Sequence, residues 1–582
     1  MKEEFRQYLV LTRHFFDRLF QNDVVDFADQ MKERVIGVLT ILAGFCGFLA
    51  YIALYKYAWI EDLGTSWREK ALMITLYMLV MGLVAILEWD IIFPDSRDFA
   101  NLSPLPLHPR TLFAAKFSSL FLFVGIFALG MNAISTLSFL VYLPQWQPSP
   151  LVFAGRLLLA HLFTMFLACF FMFFFNVALS GLLLTVLGYR LFTRLSTYIR
   201  SFFLLIYVSL FLLYFRLLLY GTNDFVLLDR LRSNHALIRG FFDLFPPFWF
   251  TDLYETLLGN PTLPFHGSYT FAMVSMAAAV GVFYISFGLN YKRYLKHLES
   301  SRNRKDHLIG WKRSFSALFS SIFLKNPVQR SVFHFYGKTF RSSMFHRMRL
   351  ASFLTVAVAV FLVRMLPQAR NLENLFGINK AMLALPLILS FFLILGLRGG
   401  VNMPVNLEAN WVFQLTEVKK RRHYFAGMRK GIFFLNLLPL FTLLFLFYAF
   451  LWGWQLAFYH CLFGLTVATL IMEVFFLHYC KLPFACTYLP GKEKLQLFWI
   501  IYLLAFLVYI NFFVWLDHYL LRNPQLFGHF FGVSISLILG VRFYQWIFYY
   551  QRITIKYDEE PEPAMVGLDY QVPMHKRRAH EI

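Results

Sequence analysis

The sequence predicts an all-α polytopic membrane protein with about twelve transmembrane helices in two six-helix halves related by pseudo-two-fold symmetry. Three observations predict it. The 582 residues are 59% hydrophobic and only 15% charged, with a mean hydropathy of +0.57, whereas soluble chains carry about a quarter charged residues. Apolar runs such as Val35–Tyr55 and Ile432–Phe450 are continuous, too long and too uniform for barrel strands, which alternate every second residue. Helices satisfy their own backbone amides in hydrocarbon, so such runs cross as helices. Finally, a local pattern recurs across the middle of the chain.

The elements follow in order. Residues 1–34 open with MKEEFRQYLVLTRHFFDRLF, charged along its length with apolar residues at helical spacing, which predicts an amphipathic connecting helix on the inner surface rather than a cleaved signal. Residues 35–290 form the first half, with spans near 35–56, 71–93, 117–142, 156–187, 201–220 and 269–290. Each is close to the ~20 residues that cross a ~30 Å hydrocarbon layer, and the fourth is long enough to run on or break within it. Residues 291–348 are a basic linker and second connecting helix. Residues 349–549 form the second half, with spans near 349–366, 378–398, 431–451, 457–478, 496–516 and 528–549, and 550–582 is a tail. Within the outer segment 221–268, the apolar stretch Phe241–Leu258 contains Pro246-Pro247 and is too short to span, which suits a re-entrant or interfacial helix.

The net charge of +21 raises nucleic acid as a partner, and the placement of the charges argues against it. With both termini in the cytoplasm, inner segments hold about forty of the 54 Lys and Arg. The linker alone has Lys292, Arg293, Lys296, Arg302, Arg304, Lys305, Lys312 and Arg313, while 143–155 is uncharged between Leu143 and Gly155. The excess is topogenic and suits anionic inner-leaflet lipid. The five cysteines have no extracellular pairing pattern and imply no disulfide framework.

The repeat lies after the second span of each half. FPDSRDFANLSPLPLHPRTLFAAK in the first half answers MPVNLEANWVFQLTEVKKRRHYFAGMRK in the second, matching Pro94 with Pro404, Asp98 with Glu408 and Leu105 with Leu415 at one offset. In each, a proline ends a helix, an acid follows, and an apolar and basic stretch returns to the membrane. On the residues alone this is either a short helix facing a partner or a solvated turn.

At these residues the chain resembles the large permease subunits of bacterial ABC type-2 exporters. TRHFFDRLFQND near the start, FFDLFPPFWFTDLYETLLG outside and KLPFACTYLPGKEKL between spans ten and eleven fit the same resemblance, which covers most of the chain. It implies an inner-membrane exporter subunit, multi-pass, with both termini cytoplasmic. It also implies two copies of an ABC ATPase subunit, which hold ATP and Mg outside this chain. The coupling contacts so implied are Arg97, Asp98, Leu105, Pro106 and Arg110, then Glu408, Asn410, Trp411, Leu415, Arg421 and Arg422. The second copy departs in having Thr416 where the first has Pro106.

Own catalysis is not expected. A phosphate-binding loop needs G-x-x-x-x-G-K-[ST]; Gly337-Lys338-Thr339 supplies its end, but Val332 occupies the place of the first glycine. His478, Cys480 and Cys486 lack a paired C-x-x-C and a fourth donor, so no metal site is predicted. Charges at bilayer depth cost at least ~2.5 kcal/mol, so they either face a pathway or a partner or pair between helices and snorkel near helix ends. Glu88 and Asp90 end the second span, Arg216, Glu473 and Arg542 lie deeper, and Asn132, Asn176 and Asn436 add polar contacts. Two rival readings are an ion-coupled secondary carrier using Glu88, Asp90 or Glu473, and a non-transporting membrane scaffold.

Overall fold

In the computed structural model, twelve helices among the described residues are long and apolar enough to cross a bilayer, which makes the chain an all-α multi-pass membrane protein. The structure describes residues 2–20, 28–59, 66–87, 108–146, 148–220, 245–260, 267–300, 323–366, 377–405, 413, 415, 421–486, 499–549 and 555.

The first half begins with α1, Lys2–Phe20, followed by α2, Ala28–Leu54, α3, Trp67–Leu87, and α4, Pro109–Tyr142. The surface helix thus ends at Phe20, and residues 28–34 continue the first spanning helix. Span three starts eight residues before the expected 117, because Pro109 presets a helical φ at the first position. Its early Lys116 is sheltered, with its ammonium 5.0 Å from the centre of the Phe15 ring on α1. A helical stretch Pro150–Tyr220 follows, broken at Gly188, where φ 69 and ψ 161 are open to glycine and strained for other residues. The break separates α5, Pro150–Gly188, from α6, Leu195–Arg216.

Helix α7, Pro246–Leu258, has 13 residues, about 20 Å at 1.5 Å per residue and too short to cross. Pro246 and Pro247 start it, and Gly259 at φ 88 ends it. Helix α8, Tyr269–Ser300, completes the half.

In the second half, α9, Pro327–Ser342, is amphipathic and capped by Asn326, whose side chain accepts from the Val328 amide. The spans are α10, Met344–Met365, α11, Lys380–Val401, α12, Arg422–Trp452, α13, Trp454–Phe475, α14, Trp499–Arg522, and α15, Phe527–Tyr544. Helix α12 contains a π-helical turn at Phe433–Leu437, and another, Gln545–Tyr549, follows α15. Span eleven continues past the expected 516 to Arg522 and so carries Asp517 inside the helix.

The halves share an internal plan. The second span of each is central, with 72% of the most apolar window buried in both α3 and α11. Such helices are apolar all round and need no polar face. Helices α3 and α8 pack along the α5–α6 stretch, with Gly82 of α3 against Met172 and Tyr207 and Gly181 of α5 against Ser286 of α8, as α11 and α15 pack on α13. The halves meet where α10 packs along the α5–α6 stretch, and there Arg216 donates to the Val363 carbonyl at 3.2 Å.

Candidate functional site

At the end of the bundle from which the third spans start, each half places an amphipathic helix against the start of its third span. On α1, Leu11 and Phe15 cluster with Leu112 and Ala115 of α4, and the Tyr8 hydroxyl bonds Ser118 Oγ at 2.6 Å. On α9, Val332 and Tyr336 are buried in one core with Tyr424, Phe425 and Met428 of α12. Here the backbones approach closely: a Cβ at Gly427 would lie 2.7 Å from the Gln329 carbonyl oxygen, and one at Gly431 2.7 Å from the Tyr336 ring. Gly427-Met428-Arg429-Lys430-Gly431 is a G-x-x-x-G pair, the spacing that lets two helices touch along one face. Burial holds the Tyr336 hydroxyl well above its ordinary pKa, and it accepts from Asn436 Nδ2 at 2.7 Å.

These contacts stand immediately beside the repeated segments. Arg110 occupies the first turn of α4, and Arg421 and Arg422 lead into α12, with Arg422 exposed. Leu415 is 77% exposed. Arg97, Asp98, Leu105, Pro106, Glu408, Asn410 and Trp411 lie outside the described residues, as do Glu88 and Asp90.

Two of the deeper charges are brought together. Glu473 on α13 is fully buried, and its two carboxylate oxygens are taken by Arg429 of α12 and Arg542 of α15, each at 2.8 Å. Arg429 also bonds Gln545, so three spans are tied through one carboxylate. Arg216 lies apart at the junction of the halves. Asn176 accepts from the Tyr207 hydroxyl at 3.0 Å, and Asn132 donates back to the Ala128 carbonyl at 2.8 Å, so both are packing contacts.

The opposite end of the bundle holds two buried polar clusters. In the first half, Lys70 of α3 meets Glu255 of α7 at 2.6 Å, with side chains 2% and 5% exposed. Its ammonium lies 5.1 Å from the centre of the Tyr254 ring. Burial, reinforced by the Glu255 carboxylate, keeps the Tyr254 phenol protonated. Asp252 accepts the amides of Gly267 and Tyr269, both at 2.9 Å, and joins α7 to the positive end of α8. In the second half, His460 Nδ1 lies 2.7 Å from Asp517 Oδ2, both groups buried. The fourth span of each half thus carries a buried histidine against an aromatic ring of the third: His161 with Phe139 at 4.5 Å, and His460 with Tyr448 at 4.7 Å.

Lys70, Glu255, His460, Asp517 and Arg429 were not singled out by the sequence. The glycine pair 427–431 was a readable signal for the α9–α12 contact; the charged pairs had none, since their members are far apart in the chain. Among the described residues no three His, Cys, Asp or Glu are placed to share a metal ion. No family model, curated protein or solved structure matches the chain.

Proposed function

We propose that this chain is the membrane-spanning permease subunit of an ABC-type exporter of the inner membrane, driven by separate ATPase subunits seated on its two repeated cytoplasmic segments. The observation that supports this most is the duplicated base, α1 on α4 and α9 on α12, each adjoining one copy of the repeat. A span whose start is braced by an amphipathic helix can carry a push from a subunit docked beside it into the bundle. In this reading the chain supplies no phosphate cradle, and ATP and Mg belong to the partner. The tight ties at both ends, Glu473 at one and Lys70–Glu255 at the other, let helices tilt as groups rather than singly.

The ion-coupled rival draws on the buried His460–Asp517 pair. Glu473 supports that rival less, since both of its oxygens are occupied by guanidinium groups. Affinity purification of the full chain in mild detergent separates the two. Co-purification of an ATP-hydrolysing subunit is expected. Purification without one, with transport that survives ATPase loss but collapses with the proton gradient, would overturn the proposal.

A further inference from the structure

A cavity of about 550 Å³ lies between α12, α13 and α15. That volume falls in the range of sites that enclose a small ligand. Its walls include Phe433, Phe434, Ile535 and Ile538, and three cations, Arg429, Lys430 and Arg542, stand in its lining. Ile535 is 51% and Leu539 58% exposed along the same face of α15, so within a span this face meets lipid hydrocarbon.

The charge of the cavity is unbalanced. Glu473 is the carboxylate that pairs with Arg429 and Arg542, while Lys430 donates to neutral groups, the Phe323 carbonyl at 2.9 Å and Gln329 Oε1 at 2.8 Å. Among the described residues, three cations therefore face one anion. Arg429 lies two turns into α12 and Arg542 in the last turn of α15, so both are about 10 Å or less from a helix end, where long cationic side chains can snorkel toward headgroups.

Two further features flank this site. The π-helical turn Phe433–Leu437 contributes Phe433 and Phe434 to the wall, and the second π-helical turn, Gln545–Tyr549, begins beside Arg542. Such turns widen a helix and recur where a ligand is held. An adjoining groove carries Trp546 beside Arg542, an aromatic suited to the membrane interface.

We infer that this cavity binds an anionic phospholipid, with its phosphate among Arg429, Lys430 and Arg542 and the upper part of an acyl chain along the apolar wall. The inference does not depend on the transport proposal. A free phosphate would match the cations but leave the apolar wall unfilled, and a zwitterionic lipid would fill the wall without matching the charge.

The test is native mass spectrometry of the full chain in detergent, titrated with phosphatidylglycerol, phosphatidylcholine or inorganic phosphate. Phosphatidylglycerol should bind at least about tenfold more tightly than phosphatidylcholine. Lys430→Gln and Arg542→Gln should each weaken phosphatidylglycerol about fivefold and leave phosphatidylcholine unchanged. Ile538→Trp, which fills the cavity without altering charge, should weaken it as well. If Arg542→Gln does not fold, Lys430→Gln and Ile538→Trp decide the matter. Equal binding of the two lipids, a preference that survives the charge variants, or displacement of the lipid by equimolar inorganic phosphate would overturn the inference.

Discussion

Breaking the Lys70–Glu255 pair should release α7 from the bundle, and the double replacement should restore it. The two groups meet at 2.6 Å with 2% and 5% of their side chains exposed. Lys70→Met leaves Glu255 with Asn260 Nδ2 at 3.4 Å as its side-chain donor among the described residues, a poorly compensated buried carboxylate. Such a break costs about 3–5 kcal/mol, whereas exchanging both partners for apolar residues of similar size is close to neutral. The local opening that exposes α7 should therefore become at least about a hundredfold more frequent in either single variant. A cysteine placed at the buried Thr251 on α7 reports that opening through its rate of thiol labelling. Labelling should be slow in the parent, fast in Lys70→Met and in Glu255→Leu, and slow again in the double variant. The reasoning fails if the singles label as slowly as the parent, or if the double labels faster than either single.

Three other outcomes follow from the packing and the sequence. Gly427→Ala sets a Cβ 2.7 Å from a backbone carbonyl that cannot swing aside, so it should destabilise the protein by about 1–3 kcal/mol in thermal unfolding and loosen α9; an unchanged melting point contradicts the close approach. Glu473→Gln should cost several kcal/mol, because it removes the carboxylate held between two guanidinium groups. Arg542→Gln should cost less, since Arg429 still pairs with the Glu473 carboxylate at 2.8 Å, and a reversed order in unfolding experiments would contradict this account of the cluster. The isolated chain should hydrolyse no ATP; specific hydrolysis abolished by Lys338→Ala would mean that Gly337-Lys338-Thr339 works as a phosphate loop despite Val332.

The spans were legible because a continuous apolar run leaves the backbone one solution in hydrocarbon. The short α7 was legible too, from Pro246-Pro247 and its length. What the sequence concealed were charges that cancel in space. A hydropathy reading weighs Asp517 as a stop signal and ends the span at 516, whereas in the fold His460 meets it across 57 residues of chain and α14 continues. Lys70 and Glu255 stand 185 residues apart, one at the expected edge of a span and the other in an outer loop, and neither suggests the other. Glu473 and Arg542 were visible as costly single charges, but Arg429, at the edge of a basic stretch, read as topogenic until α12 proved to start at Arg422. The two-half plan read from the repeated segments has a counterpart in the equal burial of α3 and α11.

The central claim is that the repeated segments couple this bundle to an ATPase, and Asp98 and Glu408 test it most directly. The sequence predicts both as acids outside hydrocarbon in short helices, where such a group contributes at most about 1 kcal/mol to local stability, while a charge-assisted contact in a partner's groove contributes up to a few kcal/mol to association. Membrane abundance and ATPase turnover of the complex should be measured for Asp98→Ala, Glu408→Ala and the double variant. The account predicts normal abundance in all three, reduced turnover in each single variant and the lowest in the double. Wild-type association and turnover in the double variant would contradict it.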